Sequence, residues 1–600
     1  MGHFARRLVD IEVTERTMSD KYLLKKIFAY VFRYKAIIFG VLIALLLSSV
    51  ATIAGPYIIM IAIDKYIETG DTLGLLHISL IYLGVIILGY IAGFGNTYGL
   101  NWLGQKVIYD LREDLFEHLQ YMSVDYYDKN PTGQLISKLI NDVNTLNQLM
   151  ISGLITTISD LVTLFGILIV MLSINVYLSL VAFAVIPLLL LSNMYFARKI
   201  RRLSRVTRKT IAKVTSNVEE TVSGIEVVKA FTKEKSSRRS FDQVNRENLV
   251  ANINLARTTS ALYPVIDVIS ALGNALVLYF GGLSVIGGIL TIGVLVAFFS
   301  YLGRFYQPIM NITLFYNNIQ SAFAAAERIF GVLETKSTIM EKEDAIELPP
   351  IQREIKYDNV TFWYIKGQPV LQNFNLTIKH GEKIAVVGKT GAGKTTLVNL
   401  LLRFYDPEKG RILIDGIDIR DVTLKSLRSQ IAIVLQKPFL MNTTILENIR
   451  FGKPDATEEE VIEAAKAVGI HDFIMKLPNG YNTNVGEEGK RLSVGQKQLI
   501  TFARALLANP RILILDEATA SVDSYTEALI QKGIYKLMEN RTSIIIAHRI
   551  STIKNVDRII VLEKGKIVEE GTHEELIEKG GIYKKLYELQ FETTPAVVEA

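Results

Sequence analysis

The front of the chain is written in long apolar runs and the rear in short ones. Six uninterrupted apolar stretches, near 36–63, 75–100, 150–172, 177–196, 261–280 and 284–301, each hold roughly 20 residues. That is the length an α-helix needs to cross ~30 Å of hydrocarbon. One such run also fits a buried soluble helix, but six in series predict a membrane domain. The third and fourth are joined by Ser173-Ile174-Asn175-Val176, and the fifth and sixth through glycines. Past residue 350 the period changes. Short β-rich runs at 384–387, 412–414, 431–434, 512–515, 542–546 and 558–561 alternate with helical segments. This pattern predicts an α/β domain around a largely parallel sheet. Between the halves, 336–350 is charged and closes on Pro349-Pro350, the composition of a linker. The reading is therefore multidomain: an all-α, six-helix transmembrane domain over 1–335, a linker over 336–350, and an α/β domain over 351–600.

Charge sets the orientation of the front half. Lys106, Arg112, Lys129 and Lys138 follow the second run; Arg198, Lys199, Arg201, Arg202, Arg205, Arg208 and Lys209 follow the fourth. The opposite loops are short, with Lys65 nearly their only cation. The positive-inside rule then predicts a multi-pass protein of the cell membrane, with both termini and both long loops in the cytoplasm. Leu135, Leu139, Val143 and Leu146 recur at helical spacing, so those loops read as helical extensions of the spans. The net charge of +6 is small for 600 residues and sits beside apolar runs, which favours a lipid bilayer over nucleic acid as partner. With no cysteine, disulfides and thiolate metal sites are excluded. The first 19 residues are charged and lack an apolar core, unlike a cleavable signal peptide. Asp160 and Asp267 fall within or near apolar runs, where an acid either lines a polar cavity or marks a helix end in cytosolic water.

The rear half carries the chemistry. Gly388-Lys389-Thr390-Gly391-Ala392-Gly393-Lys394-Thr395-Thr396 directly follows the apolar run 384–387 and has the form of a phosphate-binding loop. Its glycines let backbone N–H groups turn inward, and the following helix adds its positive end. Lys394 is placed to reach the β- and γ-phosphates of ATP, and Thr395 to offer a hydroxyl to Mg2+. Asp516 ends the run 512–515, where a carboxylate holds Mg2+ through water. Glu517, next to it, is placed to orient the attacking water.

Leu492-Ser493-Val494-Gly495-Gln496 stands between the loop and that acidic pair. The combination resembles the ATP-binding cassette (ABC) family, and with the apolar front half it resembles the exporter type over nearly the whole chain. The resemblance implies Glu517 as the catalytic carboxylate and His548, in Ala547-His548-Arg549, as the switch histidine at the γ-phosphate. It implies Gln436, in Leu435-Gln436-Lys437, as the residue touching Mg2+ or water. Tyr364, rather than its neighbour Trp363, is implied as the adenine-stacking aromatic. Ser493, Gly495 and Gln496 would close on the γ-phosphate held by a second subunit, with Asp523 crossing that interface. One membrane domain and one cassette make half of what the family needs, so a second half-transporter is implied, and the intact site residues favour a homodimer. The stretches 127–142 and 220–231 resemble the family's intracellular loops, whose short coupling helices press on the cassettes; the second maps to 223–234. Val494 stands where a second glycine is more common, and Asn484 and Glu488 depart from the segment before the signature. The implied function is ATP-driven export of a hydrophobic or amphipathic compound, drug or lipid. An ATP-gated channel, a regulatory membrane protein and one half of a heterodimeric exporter are the competing readings. A soluble ABC ATPase conflicts with the six apolar runs, and an importer with the fusion of membrane and cassette parts.

Overall fold

The structure, a computed structural model, describes residues 18–149, 153, 155–516, 524–546 and 556–592. Its contacts divide into two units, 1–120 with 132–335 and 121–131 with 336–600.

Among the helices of the front half are α1 (Asp20–Val31), α2 (Lys35–Ile61), α3 (Thr72–Gln120), α4 (Val124–Lys129), α5 (Ile155–Ile174), α6 (Val176–Phe183), α7 (Ile186–Ser223), α8 (Ile225–Ala230), α9 (Glu234–Ile286) and α10 (Ile292–Glu334), with short helices also at Thr132–Ser137 and Val143–Leu149. All but α4 belong to the first unit. Among the described residues, five helical segments are long and apolar enough to cross a membrane, and a shorter apolar stretch, Ile292–Tyr306, opens α10. Large apolar side chains such as Leu80, Ile81, Ile91 and Phe94 stand exposed along α3. Water would not tolerate that surface, whereas acyl chains would cover it. Helix α3 has 49 residues and α9 has 53. At ~1.5 Å per residue each extends for ~75 Å, far more than ~30 Å of hydrocarbon.

Two boundaries differ from the sequence reading. The fourth run is broken at residues 184–185, because Pro187 in the first turn of α7 has no N–H to continue the helix of α6. The fifth and sixth runs do not part at Gly281. A Cβ there would lie 2.7 Å from Leu295 Cδ1, so this glycine serves close helix packing inside α9. The turn falls later, at 287–291, where Gly288 takes φ +69°. Asn175 caps α6 as the loop sequence suggests, its side chain accepting from Leu178 N at 2.8 Å.

The described residues of the second unit hold ten strands: β1 (Glu354–Phe362), β2 (Leu371–Lys379), β3 (Lys383–Val387), β4 (Lys409–Ile414), β5 (Ile417–Asp418), β6 (Ile431–Val434), β7 (Ile512–Asp516), β8 (Thr542–Ile546), β9 (Arg558–Glu563) and β10 (Lys566–Gly571). They form a six-stranded sheet, ordered β10-β9-β3-β8-β7-β6, and a four-stranded one, ordered β2-β1-β4-β5. The run 412–414, expected in the parallel set, instead pairs antiparallel with β1, Tyr357 opposite Ile412. The burial pattern explains it. In β4 only Ile412 and Ile414 are buried, the alternation of a half-solvated antiparallel strand, whereas β8 is buried throughout. The stretch 336–350 is docked rather than free: Leu348 N donates to Ser426 Oγ at 2.9 Å and Leu424 N to Glu341 Oε1 at 2.7 Å.

Two apolar cores flank the parallel sheet, and strand alternation assigns side chains to each. Ile384 and Val386 of β3, and Ile512 and Ile514 of β7, face one core with the antiparallel sheet and the helix α11 (Lys394–Leu401). Ala385 and Val387, and Leu513 and Leu515, face the other, which contains Leu499, Ile500 and Phe502 of α12 (Val494–Leu507). Helices α11 and α12 therefore pack on opposite faces of one sheet.

Candidate nucleotide site

Register across the sheet builds the site. Val386 of β3 and Asp516 of β7 both lie opposite Ile546 of β8, and Val434 of β6 lies opposite Leu515. These strands are parallel, so their carboxyl ends share one edge, where α/β sheets bind ligands. Gly388 begins two residues beyond Val386, and Gln436 two beyond Val434. Four separate sequence stretches are thus delivered to one line by strand pairing alone. Glu517 and His548 follow β7 and β8 directly; they and Asp523 lie outside the described residues.

The loop itself is tightly held. Gly388 packs so close to β9 that a Cβ would meet Leu562 O at 2.3 Å. Gly393 takes φ +106° immediately before α11, a conformation that costs other residues strain. Lys389, Thr390, Gly391 and Ala392 complete the turn, closed by Ala392 N donating to Lys389 O at 3.1 Å. Lys394 is buried, and its ammonium donates to Gly388 O at 2.6 Å and to Lys389 O at 3.2 Å. Burial lowers this ammonium's pKa below the ordinary lysine range, and the Asp516 carboxylate opposes that shift. Thr395, on the first turn of α11, is exposed; Thr396 is buried.

Strand β1 ends at Phe362, so the expected alternation stops before Trp363 and Tyr364. Tyr364 is 45% exposed, with its hydroxyl 3.2 Å from Thr396 Oγ1, which sets an open aromatic face beside the start of α11. Its ring stands edge-on to Tyr405, with centroids 5.2 Å apart. Sequence reasoning passed over Tyr405, which is buried and donates its hydroxyl to Asp128 of α4. Burial first, and the Asp128 carboxylate second, push the Tyr405 hydroxyl's pKa well above the usual tyrosine range, so it stays a donor. The aromatic pair Phe404-Tyr405 just after α11 was the available signal.

Ser493 caps α12. Gln496 N donates to Ser493 Oγ at 3.3 Å, and Ser493 N donates to Gln496 Oε1 at 2.9 Å, a reciprocal capping box. Ser493 and Val494 are exposed and Gly495 is buried. The result is an exposed, capped helix N-terminus with a hydroxyl at its tip, an end whose dipole favours negative charge. Helix α12 packs on the face of the sheet opposite α11.

A strand-fed phosphate loop above a parallel sheet, joined to a bundle of membrane-length helices, defines a membrane-embedded P-loop ATPase. Residues 38–309 match the ABC transporter transmembrane region and residues 371–520 the ABC transporter ATPase. The chain belongs to the ABC transporter family, and it is an ATP-hydrolysing transporter of exporter type. It is 40% identical over 570 residues to the uncharacterized ABC transporter ATP-binding protein YknV of Bacillus subtilis (strain 168), covering 95% of this chain and 94% of that one. It is 39% identical over 585 residues to an ATP-dependent lipid A-core flippase of Syntrophus aciditrophicus (strain SB), covering 97% and 96%. A bacterial Atm1-family ABC exporter with ATP bound has the same fold, with a TM-score of 0.75, 28% identity, and 94% and 99% of the two chains covered.

Proposed function

We propose that the chain pairs with a second half-transporter, a copy of itself, and exports a hydrophobic or amphipathic compound across the cytoplasmic membrane by alternating access. One observation carries the pairing. Helix α11, which follows the phosphate loop, and helix α12 pack on opposite faces of one sheet, which supports a site completed by a second chain. Two such units facing each other each supply what the other lacks, giving two composite sites. In each, Gly388 to Thr396 of one chain cradle the phosphates and Tyr364 stacks on adenine. Ser493, Gly495 and Gln496 of the other chain cap the γ-phosphate, with Asp523 at the interface. ATP binding draws the cassettes together, the loops containing α4 and α8 transmit the movement, and hydrolysis resets it.

Thr395, Gln436 and Asp516 offer hydroxyl, amide and carboxylate oxygens, the hard donors that Mg2+ takes. Bound there, Mg2+ supplies positive charge to the β- and γ-oxygens. Glu517 orients the attacking water and His548 contacts the γ-phosphate. The cytoplasmic placement of the cassette and both termini follows from the cations after the second and fourth runs. The cargo class rests on the apolar character of the membrane unit and on relatives named for lipid A-core and putative multidrug export.

In lipid vesicles, Glu517→Gln is expected to keep ATP binding and to lower steady ATP turnover by about 100-fold or more, the scale of losing a positioned base. Wild-type ATPase is expected to rise with some members of a panel of lipids and amphipathic drugs. Near-normal turnover in the variant, or no response to any amphiphile, would refute the proposal.

A further inference from the structure

Arg304 lies in α10, 12 residues from the helix start at Ile292. That is ~18 Å along the axis. Its contact on the second span, Thr52, lies 12 residues before Asp64, which accepts from Gly293 N at the start of α10, or ~18 Å. Two helices therefore agree that Arg304 sits near the middle of a ~30 Å hydrocarbon layer. It is exposed on the surface of the single chain.

Its attachment is specific. Pro56 has no N–H, so the helical partner of the Thr52 carbonyl is missing. Arg304 replaces it, donating from Nη1 to Thr52 O at 2.9 Å, while Tyr301 donates to the neighbouring Ile53 O at 2.8 Å. A Cβ at Gly55 would stand 3.8 Å from Nη2, an ordinary contact distance, so the guanidinium lies close against the main chain of α2. One N–H is thus spent on the main chain, and the rest of the planar fork is directed elsewhere.

No described carboxylate forms an ion pair with it. Asp64 is occupied at the start of α10, accepting from Gly293 N at 2.7 Å, and Asp160 pairs with Asn311, seven residues and ~10 Å further along α10. An exposed guanidinium at this depth is costly without a negative partner, and that partner has to come from outside the described carboxylates. Its fork matches the two oxygens of a carboxylate or phosphate.

We infer that Arg304 is a specificity determinant that selects amphiphiles with an anionic carboxylate or phosphate headgroup. This rests on the export of amphiphiles proposed above and names their charge. The test is binding to the full-length protein in phosphatidylcholine nanodiscs of three probes sharing one dodecyl chain: dodecyl phosphate, dodecyl maltoside and dodecyltrimethylammonium. The wild type is expected to bind the phosphate about tenfold more tightly than the other two, the worth of a charge-assisted fork. Arg304→Gln should abolish that difference by weakening the phosphate alone, and Arg304→Lys, with its charge but no fork, should fall between them. If the Gln variant fails to assemble, a phosphate-specific loss in the Lys variant decides in favour and an unchanged preference decides against. Absence of a phosphate preference in the wild type, or its survival in Arg304→Gln, overturns the inference while leaving amphiphile export standing. If none of the three probes binds the wild type, both readings fall.

Discussion

At the residue scale, the phosphate loop was legible because its chemistry demands contiguous residues: glycines for the turn, Lys394 for charge, Thr395 for a hydroxyl. Side chains that hold the fold from a distance leave no such trace, and Asp415 is one. Burial would raise the pKa of its carboxyl. Three backbone donors, Gln352 N at 2.7 Å, Arg353 N at 2.8 Å and Glu354 N at 2.9 Å, outweigh burial and hold it below the usual range. It thereby pins the entry to β1, which ends two residues before Tyr364. Nothing in Ile414-Asp415-Gly416 reveals partners some 60 residues away. Asp415→Asn is expected to destabilise the cassette by about 2 kcal/mol at pH 7, the loss of charge from a set of hydrogen bonds. The sign with pH follows from linkage. A depressed folded-state pKa gives stability that is complete above the ordinary value of about 3.9 and lost as pH falls through the lower folded value. Thermal melts of both proteins from pH 7 downward should therefore converge below about pH 4. A gap of constant width would show that the carboxylate charge is not what holds the turn.

At the element scale, long spans and buried strands could be read from periodicity, because each is decided by its own residues. What periodicity missed was set by partners: the proline break before α7, Gly281 as a packing contact, and β4 recruited to the antiparallel sheet by β1. The short helix α4 is a further case. Its segment packs with the cassette rather than with the helices that flank it in sequence. Val124 rests against the cassette core, Ser123 Oγ lies 2.8 Å from Thr338 Oγ1, and Asp128 accepts the Tyr405 hydroxyl. Tyr405 in turn stands edge-on to Tyr364, so a continuous set of contacts joins Tyr364, the proposed adenine aromatic, to a helix covalently continuous with α3. Tyr405→Phe keeps the ring and removes only the hydroxyl. ATP affinity is expected to change less than about threefold, while amphiphile stimulation of the ATPase drops by about five- to tenfold, the worth of one charge-assisted hydrogen bond. Tyr405→Ala, which also removes the ring behind Tyr364, should weaken ATP binding as well. Full stimulation in Tyr405→Phe would exclude this contact from coupling.

At the scale of the whole molecule, the packing of α11 and α12 on opposite faces makes the proposed composite site open to a direct test. The chain contains no cysteine, so introduced thiols report without background. Thr390 lies in the phosphate loop and Ser493 at the tip of α12. A disulfide needs Cα atoms within about 7 Å, a distance that two helices separated by a sheet and both their packing layers do not reach. Thr390→Cys with Ser493→Cys in one chain, on the Glu517→Gln background so that bound ATP persists, should therefore give a covalent dimer under mild oxidation with ATP. Without nucleotide the yield should fall severalfold, since the phosphates supply the charge that draws the helix end across. Either single variant should stay monomeric on a denaturing gel. Mixing the two single variants before reconstitution should restore one crosslink per pair, which separates pairing between chains from closure within one. A crosslinked species that runs as monomer would mean that the loop and α12 meet within one chain, and the composite site, with the clamp that drives transport, would have to be abandoned.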